Sequence, residues 1–130
     1  MKARFAIAAV TAVPVAAFFA FVGYNKAFAS LADLARYGAW TIWLPETIGR
    51  LVGWSEMLCV AGLLCIFIAR YRHLARVAAL LLIVNQLAAA AVHASHGETG
   101  ALPQNAVLIA LLALVAALLP SSKVRQGDLS

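Results

Sequence analysis

The sequence predicts an all-α membrane protein, a four-transmembrane-helix bundle with both termini in the cytoplasm. The 130-residue chain is 65% hydrophobic and only 12% charged, whereas a soluble domain is nearer half apolar and a quarter charged. The apolar residues fall into four blocks, each near the length that crosses the roughly 30 Å hydrocarbon core as a helix. Almost nothing remains outside these blocks, so we expect one transmembrane domain over residues 1–120.

The basic residues indicate the orientation of the chain. Short cytoplasmic segments of membrane proteins carry an excess of lysine and arginine. This placement accounts for the net charge of +5, and we therefore expect a lipid bilayer and no nucleic acid as the partner of the basic groups. Seven of the ten basic residues lie on the predicted cytoplasmic side and three on the other side, namely Lys2, Arg4, Arg70, Arg72, Arg76, Lys123 and Arg125 against Lys26, Arg36 and Arg50.

The first predicted span covers residues 5–24. Its basic start and the Ala-Phe-Ala triplet at residues 27–29 also resemble a signal peptide with its cleavage site. The apolar stretch is longer than an ordinary signal core, and Lys26 stands between it and the triplet. We therefore expect a retained first helix.

The longest polar connection follows the first span. Residues 30–33 have the Ser-x-x-Asp pattern of a helix start, which predicts a short helix at the membrane interface. Trp40 and Trp43 are typical of the aromatic belt at headgroup depth. We interpret the connection as an anchor, with a lid over a site below it as the alternative.

The second predicted span covers residues 47–69 and carries one acid, Glu56. Gly49 and Gly53 form a G-x-x-x-G pattern, which predicts close packing against another helix. Glu56 lies about 60° around the helix from Gly53 and so borders this packing face. A lone carboxylate at this depth costs about 2.5 kcal/mol or more unless it faces protein or water, so Glu56 requires a partner or a function.

The third and fourth predicted spans cover residues 74–94 and 103–119. Gln86 and His93 lie on one stripe of the third span, separated by two helical turns. After the fourth span we expect a disordered polar tail over residues 121–130.

Polar side chains converge at one depth when the four spans are placed side by side. Ionisable residues inside a membrane mark functional sites by default. Two interpretations stay open: a structural ion pair that neutralises Glu56 through Lys26, Arg50 or His93, and a ligand or reaction site. The candidate polar pocket comprises Tyr24, Lys26, Arg50, Glu56, Gln86, His93 and Asn105.

Metal and thiol chemistry are not indicated. His93 and His96 are three residues apart with Glu98 nearby, but no further ligand is fixed by spacing, and we predict no metal site. Cys59 and Cys65 are six residues apart on one helix. About 9 Å of helical rise separates them, so they do not pair with each other.

A series of short motifs carries a resemblance to a known family. The motifs are G-Y-N-K at residues 23–26, R-L-V-G-W-S-E at residues 50–56, an alanine-rich third span with His93, and Asn105 at the start of the fourth. This order is similar to the DoxX-like family of small four-helix membrane proteins. The resemblance covers about residues 5–119 and implies a four-helix bundle with both termini inside.

The resemblance also implies a link to membrane redox systems. DoxX-type and DoxD-type members are linked to thiosulfate:quinone oxidoreductase and to an oxidative-stress complex, and distant relatives include a chaperone for nicotinic receptors. No catalytic role comes with the matching positions, and this chain lacks the paired cysteines of a disulfide relay. Those positions are Gly23, Lys26, Arg50, Gly53, Glu56, His93 and Asn105.

Two functional hypotheses follow from the residues and the resemblance, and both leave open whether the protein is an enzyme. In the first, an accessory or subunit of a redox system in the bacterial inner membrane binds a quinone or small lipophilic ligand, and Glu56 or His93 exchanges protons with it. In the second, a non-catalytic assembly factor, chaperone or scaffold binds other transmembrane helices through its glycine and alanine faces. A membrane protein partner or a second copy of the chain is the expected partner in the second case.

Overall fold

A computed structural model describes residues 2–121 of the chain, which include only Ser121 of the predicted polar tail. This described part is helical and contains no strand, and four of its helical stretches are long and apolar enough to cross a membrane. The predicted four-helix architecture is therefore confirmed. The helices are α1 (Lys2–Phe28), the short α2 (Leu31–Arg36), α3 (Glu46–Leu64), α4 (Arg72–Ser95) and α5 (Leu102–Leu118).

The α-helical part of the second span ends at Leu64, short of the end predicted from the sequence. The chain continues through two 3₁₀ turns, Cys65–Phe67 and Ala69–Tyr71. The carbonyl group of Ile66 accepts a hydrogen bond of 3.0 Å from Arg72 Nε. An arginine at the start of α4 thus pairs with a backbone carbonyl group of the first 3₁₀ turn.

The four long helices form a ring in which each packs against two neighbours. Helix α1 lies between α3 and α5, and α4 contacts the same two helices from the opposite side. In a bilayer the association of helices depends on close packing rather than on the exclusion of water. The interior far from α2 is apolar and is built around Phe19, Leu63, Leu82, Leu112 and Val115.

The closest approach of α1 and α3 occurs at two glycines. A Cβ atom on Gly53 would lie 2.6 Å from both the Gly23 carbonyl oxygen and the Ala27 nitrogen. Gly49 faces a different neighbour, since its Cβ would lie 3.3 Å from Thr41 in the 3₁₀ turn Trp40–Trp43. This close contact between the two backbones allows Lys26 and Glu56, each three residues after one of these glycines, to come within hydrogen-bonding range.

Candidate ligand site

Five polar or charged side chains of the long helices are buried in the half of the bundle nearest α2. We call this set the polar layer, and every one of the four long helices contributes to it. All five belong to the pocket predicted from the sequence, so the structure brings most of that pocket together. Its members, each no more than 7% exposed, are Lys26, Glu56, Gln86, His93 and Asn105.

Two residues of the predicted pocket lie outside the polar layer. Tyr24 is 59% exposed, and its ring packs against Phe28 at a centroid distance of 5.0 Å. Arg50 donates a hydrogen bond of 2.9 Å to the carbonyl oxygen of Lys26 and pairs with Glu46 at 3.1 Å. Arg50 therefore caps the carboxyl end of α1, where carbonyl groups lack intrahelical partners.

The polar layer contains one ion pair, formed by Lys26 and Glu56. The Lys26 Nζ atom lies 2.6 Å from Glu56 Oε1, and the Glu56 side chain has no exposed surface. The same oxygen accepts a hydrogen bond of 2.9 Å from Asn85 Nδ2. The Lys26 ammonium group also lies 5.7 Å from the centre of the Trp40 ring, within range of a cation–π interaction. Of the three cations that the sequence left as partners of Glu56, Lys26 makes the contact.

A partly open cavity of about 120 Å³ adjoins the polar layer between α1, α4 and α5. The chain around the carboxyl end of α2 covers one side of it, through residues 37–40. A closed apolar cavity of about 150 Å³ accepts a benzene-sized molecule, and this partly open cavity is of comparable volume. Glu56 and Arg50 do not line it. Four residues of the polar layer line it, namely Lys26, Gln86, His93 and Asn105, together with the polar side chains of Asn25, Tyr37 and Gln104. Its apolar walls include Phe18, Phe21, Leu34, Trp40 and Leu108.

His93 is held by a carboxylate from the turn after α4. Its Nδ1 atom lies 2.7 Å from Glu98 Oε2, and Trp43 Nε1 donates a hydrogen bond of 3.3 Å to the other oxygen of Glu98. The hydrogen bond from His93 is the largest effect on Glu98 and lowers the pKa of that carboxyl group below its ordinary value. Partial burial opposes this shift, and the bond from Trp43 adds to it. The pair therefore fixes the orientation of the imidazole ring at the wall of the cavity.

The amide side chains of the polar layer satisfy each other only in part. Asn105 Nδ2 donates a hydrogen bond of 2.8 Å to Gln86 Oε1. Within residues 2–121, four buried side-chain atoms have no hydrogen-bond partner, namely Trp40 Nε1, Thr41 Oγ1, Glu56 Oε2 and Asn105 Oδ1. A buried polar group left unpaired costs about 1–3 kcal/mol, and two of these four groups, on Trp40 and Asn105, belong to residues that line the cavity.

The sequence did not indicate three contributors to this site. Trp40, predicted as an interfacial anchor, is 7% exposed and lines the cavity. Asn85 lies near the middle of the third span beside Gln86, and that position was the only signal for its bond to Glu56. Glu98 lies beyond the end of α4, where helical periodicity no longer relates it to His93.

The two histidines near the end of α4 do not face the same point. His96 stacks on the Trp43 ring at a centroid distance of 4.0 Å, and its Nδ1 atom lies 2.8 Å from the Val92 carbonyl oxygen. His93 instead faces Glu98 and the cavity. The described part of the chain gathers no group of three or more His, Cys, Asp or Glu side chains able to hold a metal ion.

Comparison with known proteins gives one match. Residues 10–115 match the model of the DoxX-like family, and this range includes all five residues of the polar layer. No curated protein and no solved structure matches the chain.

Proposed function

The chain belongs to the DoxX-like family, and on this premise we propose that it binds the ring of a quinone-like lipophilic ligand as an accessory subunit of a redox system in the bacterial inner membrane. The observation that carries the proposal is the ring-sized cavity beside the polar layer. Small-molecule sites are typically concave and mainly apolar, with a few convergent polar groups that fix the orientation of the ligand. Buried polar residues from three helices meet this description inside an otherwise apolar bundle.

His93 is the residue best placed to exchange a proton with such a ligand. A general base must lie within hydrogen-bond reach of the proton that it takes, and His93 lines the cavity. Glu56, the other candidate, lies outside the cavity lining, and its Oε1 atom already accepts hydrogen bonds from Lys26 and Asn85. The ion pair supports the site as a structural element, since it holds Lys26 of α1 at the cavity wall.

Mass spectrometry of lipids bound to the purified protein tests the proposal. The protein is purified in mild detergent, and its extract is compared with that of an unrelated membrane protein from the same cells. We expect enrichment of quinone in the wild-type extract and its loss in Gln86→Met, which removes polar atoms from the cavity at nearly constant volume. Thr11→Val is a matched control, because the Thr11 hydroxyl bonds to its own helix at Ile7. Quinone no more abundant than in the unrelated protein would contradict the proposal.

The alternative function, a scaffold for other transmembrane helices, has less support from the packing. The close-approach glycines that the hypothesis assigned to partner helices are used within the bundle. Gly23 and Gly53 meet each other, and a Cβ atom on Gly62 would lie 2.8 Å from Ala78 Cβ. A stoichiometric membrane protein that co-purifies with the chain, together with an extract free of quinone, would favour the scaffold.

A further inference from the structure

We infer that the cavity selects a ring that carries a hydroxyl group, of the phenol or quinol class, over a ring that carries only carbonyl groups. This inference rests on the proposed function, because it specifies the chemical form of the ligand in the same cavity. The selecting group is His93, whose hydrogen-bonding state is set by Glu98.

The contact with Glu98 determines which nitrogen of the His93 ring carries the proton. An ionised carboxylate only accepts hydrogen bonds, so the 2.7 Å contact between Glu98 Oε2 and His93 Nδ1 places the proton of the neutral ring on Nδ1. The Nε2 atom then has a free lone pair, because the only side-chain hydrogen bond of His93 within residues 2–121 is the one at Nδ1. Because Glu98 does not line the cavity and His93 does, the cavity is the place where Nε2 finds a donor.

A ligand hydroxyl group satisfies this lone pair, and a carbonyl oxygen does not. A carbonyl oxygen at the same position would face Nε2, and both atoms are acceptors. The Nε2 atom would then lose its contact with water without gaining a hydrogen bond. Leaving a buried acceptor unpaired costs about 1–3 kcal/mol, which is the physical basis of the selectivity.

Donors are also available on the other polar walls of the cavity, beside the unpaired acceptor Asn105 Oδ1. Gln86 Oε1 is occupied by Asn105, which leaves the Gln86 amide hydrogens without a partner in the described part of the chain. Lys26 gives one hydrogen bond to Glu56 and retains further N–H groups. A ring with one hydroxyl group near His93 and a second oxygen near these donors matches both walls. A quinol has this pattern, whereas a quinone offers acceptors to both walls.

The same arrangement specifies how a proton leaves the ligand. The ligand O–H bond breaks and a new N–H bond forms at His93 Nε2, which leaves the electron pair on the ligand oxygen as an anion. The resulting imidazolium keeps its Nδ1 proton, which stays hydrogen-bonded to the Glu98 carboxylate. Glu98 is 36% exposed and lies outside the apolar stretches, so it connects the imidazolium to water. Glu98 thus acts as a positioning residue, because it orients His93 and does not line the cavity.

Binding of two matched probes to the purified full chain tests the inference. The probes are para-hexylphenol and para-hexylfluorobenzene, which have similar shapes and differ in the hydroxyl proton. Both are titrated into the protein in detergent micelles at about pH 8, above the range in which histidine usually titrates. We expect the phenol to bind about three- to tenfold more tightly, the range that one net hydrogen bond supplies.

Variants assign the preference to His93 and Glu98. His93→Phe should bind the two probes equally, and Glu98→Gln should reduce the preference, since an amide can donate to Nδ1 as well as accept from it. Glu46→Gln removes a carboxylate that pairs with Arg50 away from the cavity and should keep the wild-type ratio. If His93→Phe does not fold, the wild-type ratio and Glu98→Gln still decide the outcome.

The outcomes separate this inference from the proposed function. Equal affinity of both probes for the wild type, or an unchanged preference in Glu98→Gln, would overturn the inference and leave a ring-binding cavity. Binding of neither probe would overturn the proposed function as well.

Discussion

Glu56 combines full burial with a close cation, and its two roles in the sequence hypotheses can now be separated. It lies 2.6 Å from Lys26 Nζ and 2.9 Å from Asn85 Nδ2, and it does not line the cavity. Losing one partner of a buried ion pair strands the other charge in a medium of low polarity. At the residue scale, the pair therefore joins α1 to α3.

A double-mutant cycle tests the role of Glu56. We expect Glu56→Gln to destabilise the protein by about 3–5 kcal/mol, and Lys26→Met to recover part of that loss when it is combined with Glu56→Gln. The measurement is thermal unfolding in detergent. His93→Leu is the control for the cycle, because His93 bonds to Glu98, and we expect its coupling to Glu56 to be near zero. Additive effects of Glu56 and Lys26 would mean that the pair contributes nothing.

Glu98 predicts a pH dependence of stability. The hydrogen bond from His93 lowers its pKa in the folded protein, so the stabilisation is fully present above the ordinary value, about 4.3. It is lost as the pH falls through the lowered value, where Glu98 becomes protonated in the folded state as well.

The comparison of the wild type with Glu98→Gln separates the contribution of Glu98 to this pH dependence from the contributions of the other acidic residues. We expect the difference in unfolding temperature to shrink as the pH falls from about 5 to below about 4. Glu46→Gln should show only a small difference throughout, because exposed pairs contribute little. A Glu98→Gln difference that is the same at about pH 3 as at about pH 5 would contradict the assignment.

The crossing of α1 and α3 decides the geometry of the site at the scale of elements. Gly53 lies at backbone distance from Gly23 and Ala27, which leaves no room for any side chain. The Lys26–Glu56 pair lies next to this contact, and Arg50 caps the carboxyl end of α1 from α3. Any increase in the separation of these two helices therefore stretches the ion pair and moves Lys26 at the cavity wall.

Gly53→Ala tests the importance of this crossing. The added Cβ would lie 2.6 Å from backbone atoms, which cannot rotate away, so we expect a loss of about 1–3 kcal/mol from overpacking. Gly100→Ala is the matched control, since a Cβ there meets nothing within 4 Å. Equal unfolding temperatures for the two variants, measured in detergent, would show that α1 and α3 adapt to the extra atom.

At the scale of the whole molecule, the bundle has two chemically different ends. The α2 end carries the polar layer and the cavity. At the opposite end, arginines donate hydrogen bonds to carbonyl groups near the end of α5, from Arg4 to Ala117 at 3.3 Å and from Arg76 to Leu119 at 3.1 Å. Basic residues at this end favour the cytoplasmic side, so the cavity is predicted to lie in the outer half of the membrane.

Cysteine labelling in intact cells tests the orientation. In a background with Cys59 and Cys65 replaced by alanine, we expect an impermeant thiol reagent to label Thr99→Cys before the cells are opened. Ser121→Cys should react only after the membrane is permeabilised, which also controls for its accessibility. The reverse pattern would mean that the positive-inside rule fails for this chain.

The helical membrane class and most of the buried polar residues could be predicted from the sequence. The four apolar blocks have the length of transmembrane helices, in which every backbone polar group except those at the ends is satisfied within the segment. The same reasoning identified Lys26, Glu56, Gln86, His93 and Asn105, since polar residues at such depth are too costly to face lipid.

The contacts among these residues could not be predicted from the sequence, because they depend on how the helices pack. Helical periodicity relates positions on one helix, whereas the pairing of Glu56 with Lys26 depends on how closely α1 and α3 approach at Gly53. The contact of His93 with Glu98 and the burial of Trp40 depend on the path of the connections between helices, which follow no period. The cavity itself belongs to no single element, because three helices and the chain beyond α2 form its walls.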